Sequence, residues 1–143
     1  MKRIAFLILL FLLLPSYSLA KSFGDYEGAI YVRNYDGDTI TFNLPELHPI
    51  IGEKISIRVN GIDTPEIKGK CEKEKYDAQQ VRDMVADILK DAEQITLKNM
   101  ERGKYFRIAA DVIVDGENLA DILIEAGMAV RYDGGKKTHK WCE

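Results

Sequence analysis

Past an apolar opening stretch, hydrophobic positions along the chain recur with two periods. Alternation of apolar and polar residues predicts strands over about Gly28–Asn34, Asp38–Leu44, Lys54–Ile62, Gln94–Met100 and Lys104–Val114. Ile55, Ile57 and Val59 then share one face, with Ser56 and Arg58 on the other. Phe106, Ile108, Ala110, Val112 and Val114 likewise leave Tyr105 and Arg107 on the opposite face. Asp38 has the parity of Ile40 and Phe42, which places a carboxylate at the mouth of an inward row. The second period is helical. Ala78, Val81, Met84, Val85, Ile88 and Leu89 recur at steps of three and four and predict one buried stripe on a helix over about Glu72–Asp91. A shorter helix over about Asn118–Ala126 buries Leu119, Ile122 and Leu123 and stops at Gly127, a residue suited to a left-handed cap. Asp36-Gly37 and Asp115-Gly116 are turns, Pro45 and Pro49 mark a loop, and the polar stretch from Arg131 to Glu143 is expected to wrap the surface.

Five short strands with helices inserted between them make two poor sheets, whereas closure into a small barrel hides the edges. The expected class is therefore α+β, a five-stranded OB-fold β-barrel with flanking helices. The opening stretch changes the picture in another way. Lys2 and Arg3 precede an apolar run from Ile4 to Leu14, then Pro15 and Ser18-Leu19-Ala20. That run is too short to cross a bilayer, which takes about 20 residues, and the pattern reads as a signal peptide cleaved near Ala20. The division expected is residues 1–20 as signal peptide, 21–27 as N-terminal tail and 28–143 as the domain. Export to the periplasm or the medium follows, with no membrane attachment of the mature form. Losing two basic residues takes the formal charge from −3 to −5. Such a chain is no polybasic coat protein, so nucleic acid would have to meet a local patch drawn from Lys68, Lys70, Lys73, Lys75, Lys98, Arg102, Lys104, Lys136, Lys137 and Lys140. The even cysteine count, Cys71 and Cys142, favours a disulfide in an oxidising compartment. Free thiols, or a zinc site shared with His139, are the other readings.

Three separated pieces carry candidate chemistry: Asp36-Gly37-Asp38-Thr39, Arg58-Val59-Asn60-Gly61-Ile62-Asp63-Thr64-Pro65-Glu66, and Lys104-Tyr105-Phe106-Arg107. Taken singly, the first is a hairpin turn and the Asp63–Glu66 tetrapeptide a helix cap. Together they put several carboxylates beside two arginines with no His or Cys close in sequence. That oxygen-only set suits a hard cation such as Ca²⁺ or Mg²⁺ better than zinc. Metal-assisted phosphodiester chemistry needs such acids and guanidinium groups together.

In order and spacing these pieces closely resemble the staphylococcal nuclease (thermonuclease) family, over about Gly28 to Arg131. The R-x4-D-T-P-E piece from Arg58 to Glu66 is the most specific part. The resemblance implies an OB-fold, calcium-dependent enzyme that cleaves DNA and RNA with little sequence preference and leaves 3′-phosphate products. It also implies Asp38 and Asp63 as Ca²⁺ ligands with the Thr64 carbonyl, and Asp36 standing behind them. Glu66 becomes the general base or water-orienting group, and Arg58 and Arg107 the catalytic arginines. Lys104 and Tyr105 align with contacts to a terminal nucleotide phosphate, and Tyr132 is a candidate stacking aromatic. The chain departs from the family at Phe106, where Gly is usual, in the segment holding Cys71, and in the tail after Tyr132. A monomer with no obligate protein partner is expected. The alternatives are a non-catalytic OB-fold nucleic-acid-binding module and an export-linked protein organised around Cys71, His139 and Cys142.

Overall fold

The computed structural model describes residues 22–103 and 107–143. Threonines alternate with the fully buried Ile40 and Phe42 in β3 (Thr39–Asn43), which pairs antiparallel with β2 (Ile30–Asn34) across the turn at 35–38. On its other side β3 meets β4 (Ile55–Val59), antiparallel, with Thr39 opposite Arg58 and Phe42 opposite Ile55. β4 in turn runs parallel to β7 (Ile108–Val114), with Ile57 opposite Ile108. β6 (Ile95–Arg102) pairs antiparallel with β7, and β1 (Tyr26–Glu27) with β6. The path is thus β1-β6-β7-β4-β3-β2, with β8 (Glu117–Asn118) added on β7.

The end strands β1 and β2 are consecutive in the chain, joined only through Gly28 and Ala29. Both of those amides donate to the Ile95 carbonyl, at 3.1 and 3.0 Å. Gly28 takes the turn at φ +77°, a conformation that side chains disfavour. The two ends of the sheet are tethered, so the sheet curls. No ladder among the described residues joins them, so the expected closed five-stranded barrel is replaced by an open, curled, broadly OB-like sheet. Its concave side is filled by Ile40, Phe42, Ile57, Val59, Leu97 and Val112 against Val81 and Val85 of α2 (Glu72–Asp91) and Leu119 and Leu123 of α3 (Leu119–Glu125). Burying each such aliphatic side chain contributes about 2 kcal/mol before chain entropy is counted.

Several elements differ from the sequence expectation. The strand expected over Lys54–Ile62 is broken at Asn60-Gly61, where Gly61 adopts φ +77°. The chain then leaves the main sheet and β5 (Ile62–Asp63) pairs antiparallel with β9 (Val130–Arg131) as a second, two-stranded sheet. The Pro45–Pro49 loop contains one helical turn, α1 (Pro49–Gly52), because proline is well placed in a first turn and the His48 side chain accepts the Ile50 N–H. Tyr26, within the expected tail, is buried as part of β1. The start of the last long strand, including Lys104, Tyr105 and Phe106, and the expected signal peptide lie outside the described residues. No helix among the described residues is long and apolar enough to cross a membrane.

Candidate active site

The site begins at the β2–β3 turn. Asp36 Oδ1 accepts the backbone N–H groups of Asp38, at 3.2 Å, and Thr39, at 2.8 Å, an Asx turn that aims the next carboxylate inward. Between them, Gly37 lies so close to α2 and Thr64 that a β-carbon would stand 2.3 Å from Val81 Cγ1 and 2.8 Å from Thr64 Cγ2. Asp38 follows, 2% exposed. Its Oδ2 accepts the Thr64 N–H at 3.2 Å and the Thr64 hydroxyl at 3.1 Å, while Oδ1 accepts the Thr39 hydroxyl and forms an ion pair with Arg58 Nη1.

Arg58 comes from β4, opposite Thr39 in the ladder, so the neighbouring strands carry cation and acid to the same place. Its other nitrogen, Nη2, donates to the Ile62 carbonyl at 3.1 Å and lies 3.8 Å from Asp63 Oδ1. The Asn60-Gly61 turn therefore folds the chain back over its own arginine and brings Asp63 beside Asp38. Burial lowers the Arg58 pKa from its ordinary value, against the raising influence of Asp36 and Asp63 and assisted by the like charge of Arg107. The Asp36 pKa is raised, first by burial and then by the Glu66 charge, with the Thr39 hydrogen bonds and Arg58 opposing.

Asp63 is met from the far end of the chain. Trp141 donates its indole N–H to Oδ2 at 3.3 Å, and the Lys137 ammonium stands 2.7 Å from Oδ1 and 2.7 Å from Glu66 Oε1. The contact with Glu66 is an aligned hydrogen bond, whereas that with Asp63 is a charge contact only. Asp63 Oδ1 is thus a buried acceptor with no aligned donor. The side chain of Glu66 is 47% exposed. Its loop is held from beneath by the buried Glu74 of α2, which accepts the N–H groups of Glu66 at 3.4 Å and Lys70 at 2.9 Å.

These groups bound a cleft of about 600 Å³ lined by Asp36, Arg58, Glu66, Arg107, Tyr132 and Lys137 among others. Asp38 and Asp63 stand behind that lining, connected to it through Arg58 and Lys137. Arg107 is exposed just before β7, its carbonyl accepting the Gly103 N–H at 2.7 Å. Tyr132 is anchored by its N–H to the Gly61 carbonyl, at 2.9 Å, and donates its hydroxyl to the Gly135 carbonyl, at 2.7 Å. Asp38, Thr64, Arg58, Asp63, Glu66, Arg107 and Tyr132 are therefore brought together, while Lys104 and Tyr105 fall outside the described residues.

The basic run after Glu66 does not form a cationic wall as a whole. Lys73 pairs with Asp77 and Lys75 with Glu72 along the helix, and Lys140 pairs with Glu143. Cys71 caps α2 and is joined by a disulfide to Cys142, the Cα atoms 6.0 Å apart. The ligand atoms of Cys71, Glu74 and Cys142 cluster within 4.8 Å of one another, which in principle could hold a metal. That composition is atypical for Ca²⁺, and while the two sulfurs are bridged neither is a thiolate able to bind a metal. His139 is not in that cluster, its ring packing edge-on against Trp141 with centroids 4.3 Å apart.

Sequence reasoning missed Glu74 and Trp141 and placed Lys137 only among groove cations. Trp141 was within reach of inference: it precedes Cys142, and a bridge to Cys71 brings it within a few residues of Glu66. Nothing in the local sequence marks Glu74, whose role follows from the close approach of Gly69, where a β-carbon would stand 2.5 Å from its carboxyl carbon.

No curated protein matches the chain. Residues 56–141 match the family of staphylococcal nuclease homologues, a span holding Arg58, Asp63, Thr64, Glu66, Arg107, Tyr132 and Lys137, and the chain belongs to that family.

Proposed function

We propose that the chain is a Ca²⁺-dependent nuclease that hydrolyses phosphodiester bonds of DNA and RNA with little sequence preference, leaves 3′-phosphate products, and acts outside the cytoplasm once residues 1–20 are removed. Family membership supports a nuclease-like activity. The observation that carries the finer reading is the meeting of Asp38, Arg58, Asp63 and Glu66 in one charge cluster behind a cleft that Arg107 also lines.

The acids fit a hard divalent ion. Asp38 and Asp63 offer carboxylate oxygens, Thr64 adjoins them, and Asp63 Oδ1 is buried without an aligned donor. Bound there by Asp38, Asp63 and the Thr64 carbonyl, Ca²⁺ would supply fixed positive charge beside the scissile phosphate. The remaining work belongs to side chains. A phosphodiester repels an attacking oxygen until its charge is neutralised, and the transition state concentrates more charge on the equatorial oxygens. The planar forks of Arg58 and Arg107 can each hold two of those oxygens, with bonds that strengthen as charge grows. Glu66, half-exposed at the cleft, accepts a proton from water or fixes its line of attack. Tyr132 presents a ring on which a base can stack, and Lys104 with Tyr105 is assigned to a terminal phosphate.

The test is incubation of the protein with single- and double-stranded DNA and RNA in Ca²⁺ or in EDTA. Cleavage is expected in Ca²⁺ and not in EDTA, with Glu66→Ala and Arg107→Ala each reducing the rate by roughly 100-fold or more. Cleavage indifferent to the chelator and to both substitutions refutes the mechanism. Protein recovered from outside the cytoplasm should begin at Lys21 on N-terminal sequencing. An intact Met1 there refutes the processing.

A further inference from the structure

The ammonium of Lys137 lies against Asp63 and Glu66 in the place where the proposed function needs a metal ion's charge. It arrives there from a segment with little secondary structure. After β9 the chain runs from Tyr132 to Cys142 without further helix or strand, and three points hold it down. Tyr132 is tied by its N–H to the Gly61 carbonyl, Trp141 by its indole to Asp63, and Cys142 by the disulfide to Cys71 at the start of α2. Lys73 of α2 adds a donor to the Trp141 carbonyl at 3.4 Å. Both ends of the segment are thus fixed beside the acids, and Lys137 lies between them.

From this geometry we propose that residues 132–142 form a strap that holds Lys137 as a resident counter-cation on Asp63 and Glu66, and that a divalent ion binds only by displacing it. The strap thereby sets how much Ca²⁺ the site requires. The inference rests on the assignment of Asp63 to the metal made above.

The physical argument is competition for one carboxylate edge. A lysine ammonium at 2.7 Å from Asp63 Oδ1 occupies the side on which that oxygen has no aligned hydrogen bond, and an added divalent ion there would meet a like charge at contact distance. Asp63 is otherwise deeply buried, so the full loss of a neutralising cation would leave it costly, and the lysine removes that penalty while no metal is bound. The lysine side chain is 43% exposed, which leaves it a route to swing toward solvent when displaced.

Calcium affinity is read by calorimetric titration of the purified protein, with Trp141 emission as a second signal because its indole touches Asp63. Lys137→Gln is expected to tighten Ca²⁺ binding roughly tenfold, since it removes one competing charge from two carboxylates. The double substitution Cys71→Ser and Cys142→Ser, which frees the strap, should shift affinity in the same direction. Adding Lys137→Gln to that double variant should change it no further. An unchanged or weaker affinity in Lys137→Gln, while Asp63→Asn abolishes binding, overturns the strap and leaves the metal assignment standing. Binding that survives Asp63→Asn, or no binding in any variant at millimolar Ca²⁺, overturns the metal assignment and the strap together. Lys137 sits on the surface, so its substitution tests the idea even if the cysteine variant does not fold.

Discussion

A methyl group added at Gly37 would collide with Val81 on one side and Thr64 on the other, at 2.3 and 2.8 Å. Both neighbours are fully buried, so neither can simply swing away. Gly37→Ala should lower stability by about 1–3 kcal/mol, the range for overpacking, as measured by urea unfolding. It should also disturb Asp38, whose Oδ2 depends on Thr64. Nearby, the Tyr31 hydroxyl donates to Asn34 Oδ1 at 2.6 Å, and the Asn34 amide donates to the Asp36 and Arg82 carbonyls, tying β2 and the turn to α2. Burial raises the Tyr31 pKa, with a hydrogen bond from the Asn34 backbone opposing and the charge of Asp87 adding to it. A phenol that holds its proton more tightly in the folded state stabilises that state below its unfolded pKa, and the gain is lost as pH rises through the folded one. Thermal unfolding between pH 8 and 11 should therefore show a shallower alkaline decline in Tyr31→Phe than in the parent. A parallel decline would exclude the effect. The inward aim of Asp38 was legible from parity with Ile40 and Phe42, because a strand's period of two fixes side-chain direction. The position of Lys137 was not, since nothing local dictates where a polar tail comes to rest.

Helix α2 was readable to its ends because its stripe of Ala78, Val81, Val85 and Leu89 has to be buried, and it is. The break at Asn60-Gly61 was marked twice, by a dipeptide that strongly favours turns and by Ile62, which falls out of phase with Ile55, Ile57 and Val59. That break is what moves Asp63 out of line with β4 and into the second sheet. The loop between β5 and α2 has a different origin of order, a carboxylate beneath it. Glu74→Ala would leave the Lys70 and Glu66 N–H groups without their acceptor and should cost about 1–3 kcal/mol in urea unfolding. If the loop serves only to place Glu66, nuclease activity should fall further than the unfolded fraction accounts for. Activity that tracks folding alone would deny Glu74 a positioning role.

Across the whole molecule, the disulfide joins residues 71 apart in sequence and closes a loop containing α2, α3 and the strands β6 to β9. On the chain-entropy account, its reduction should lower stability by up to about 4 kcal/mol, visible as a shift of the urea midpoint with dithiothreitol. A midpoint indifferent to reductant would mean that the bridge contributes little to folding. That the sheet curls without closing was the part of the architecture least legible in sequence. Whether Gly28 and Ala29 end one strand or bend between two depends on the shared Ile95 carbonyl, a partner far along the chain. The small sheet of β5 and β9 has a bearing on synthesis. Asp63 is emplaced by Val130, which leaves the ribosome roughly 67 residues later, so long-range pairing must wait for it. A nascent polypeptide translated up to α3 carries every acid of the cluster and still lacks the ladder and the indole that fix Asp63. The acid cluster is thus completed only near the end of synthesis.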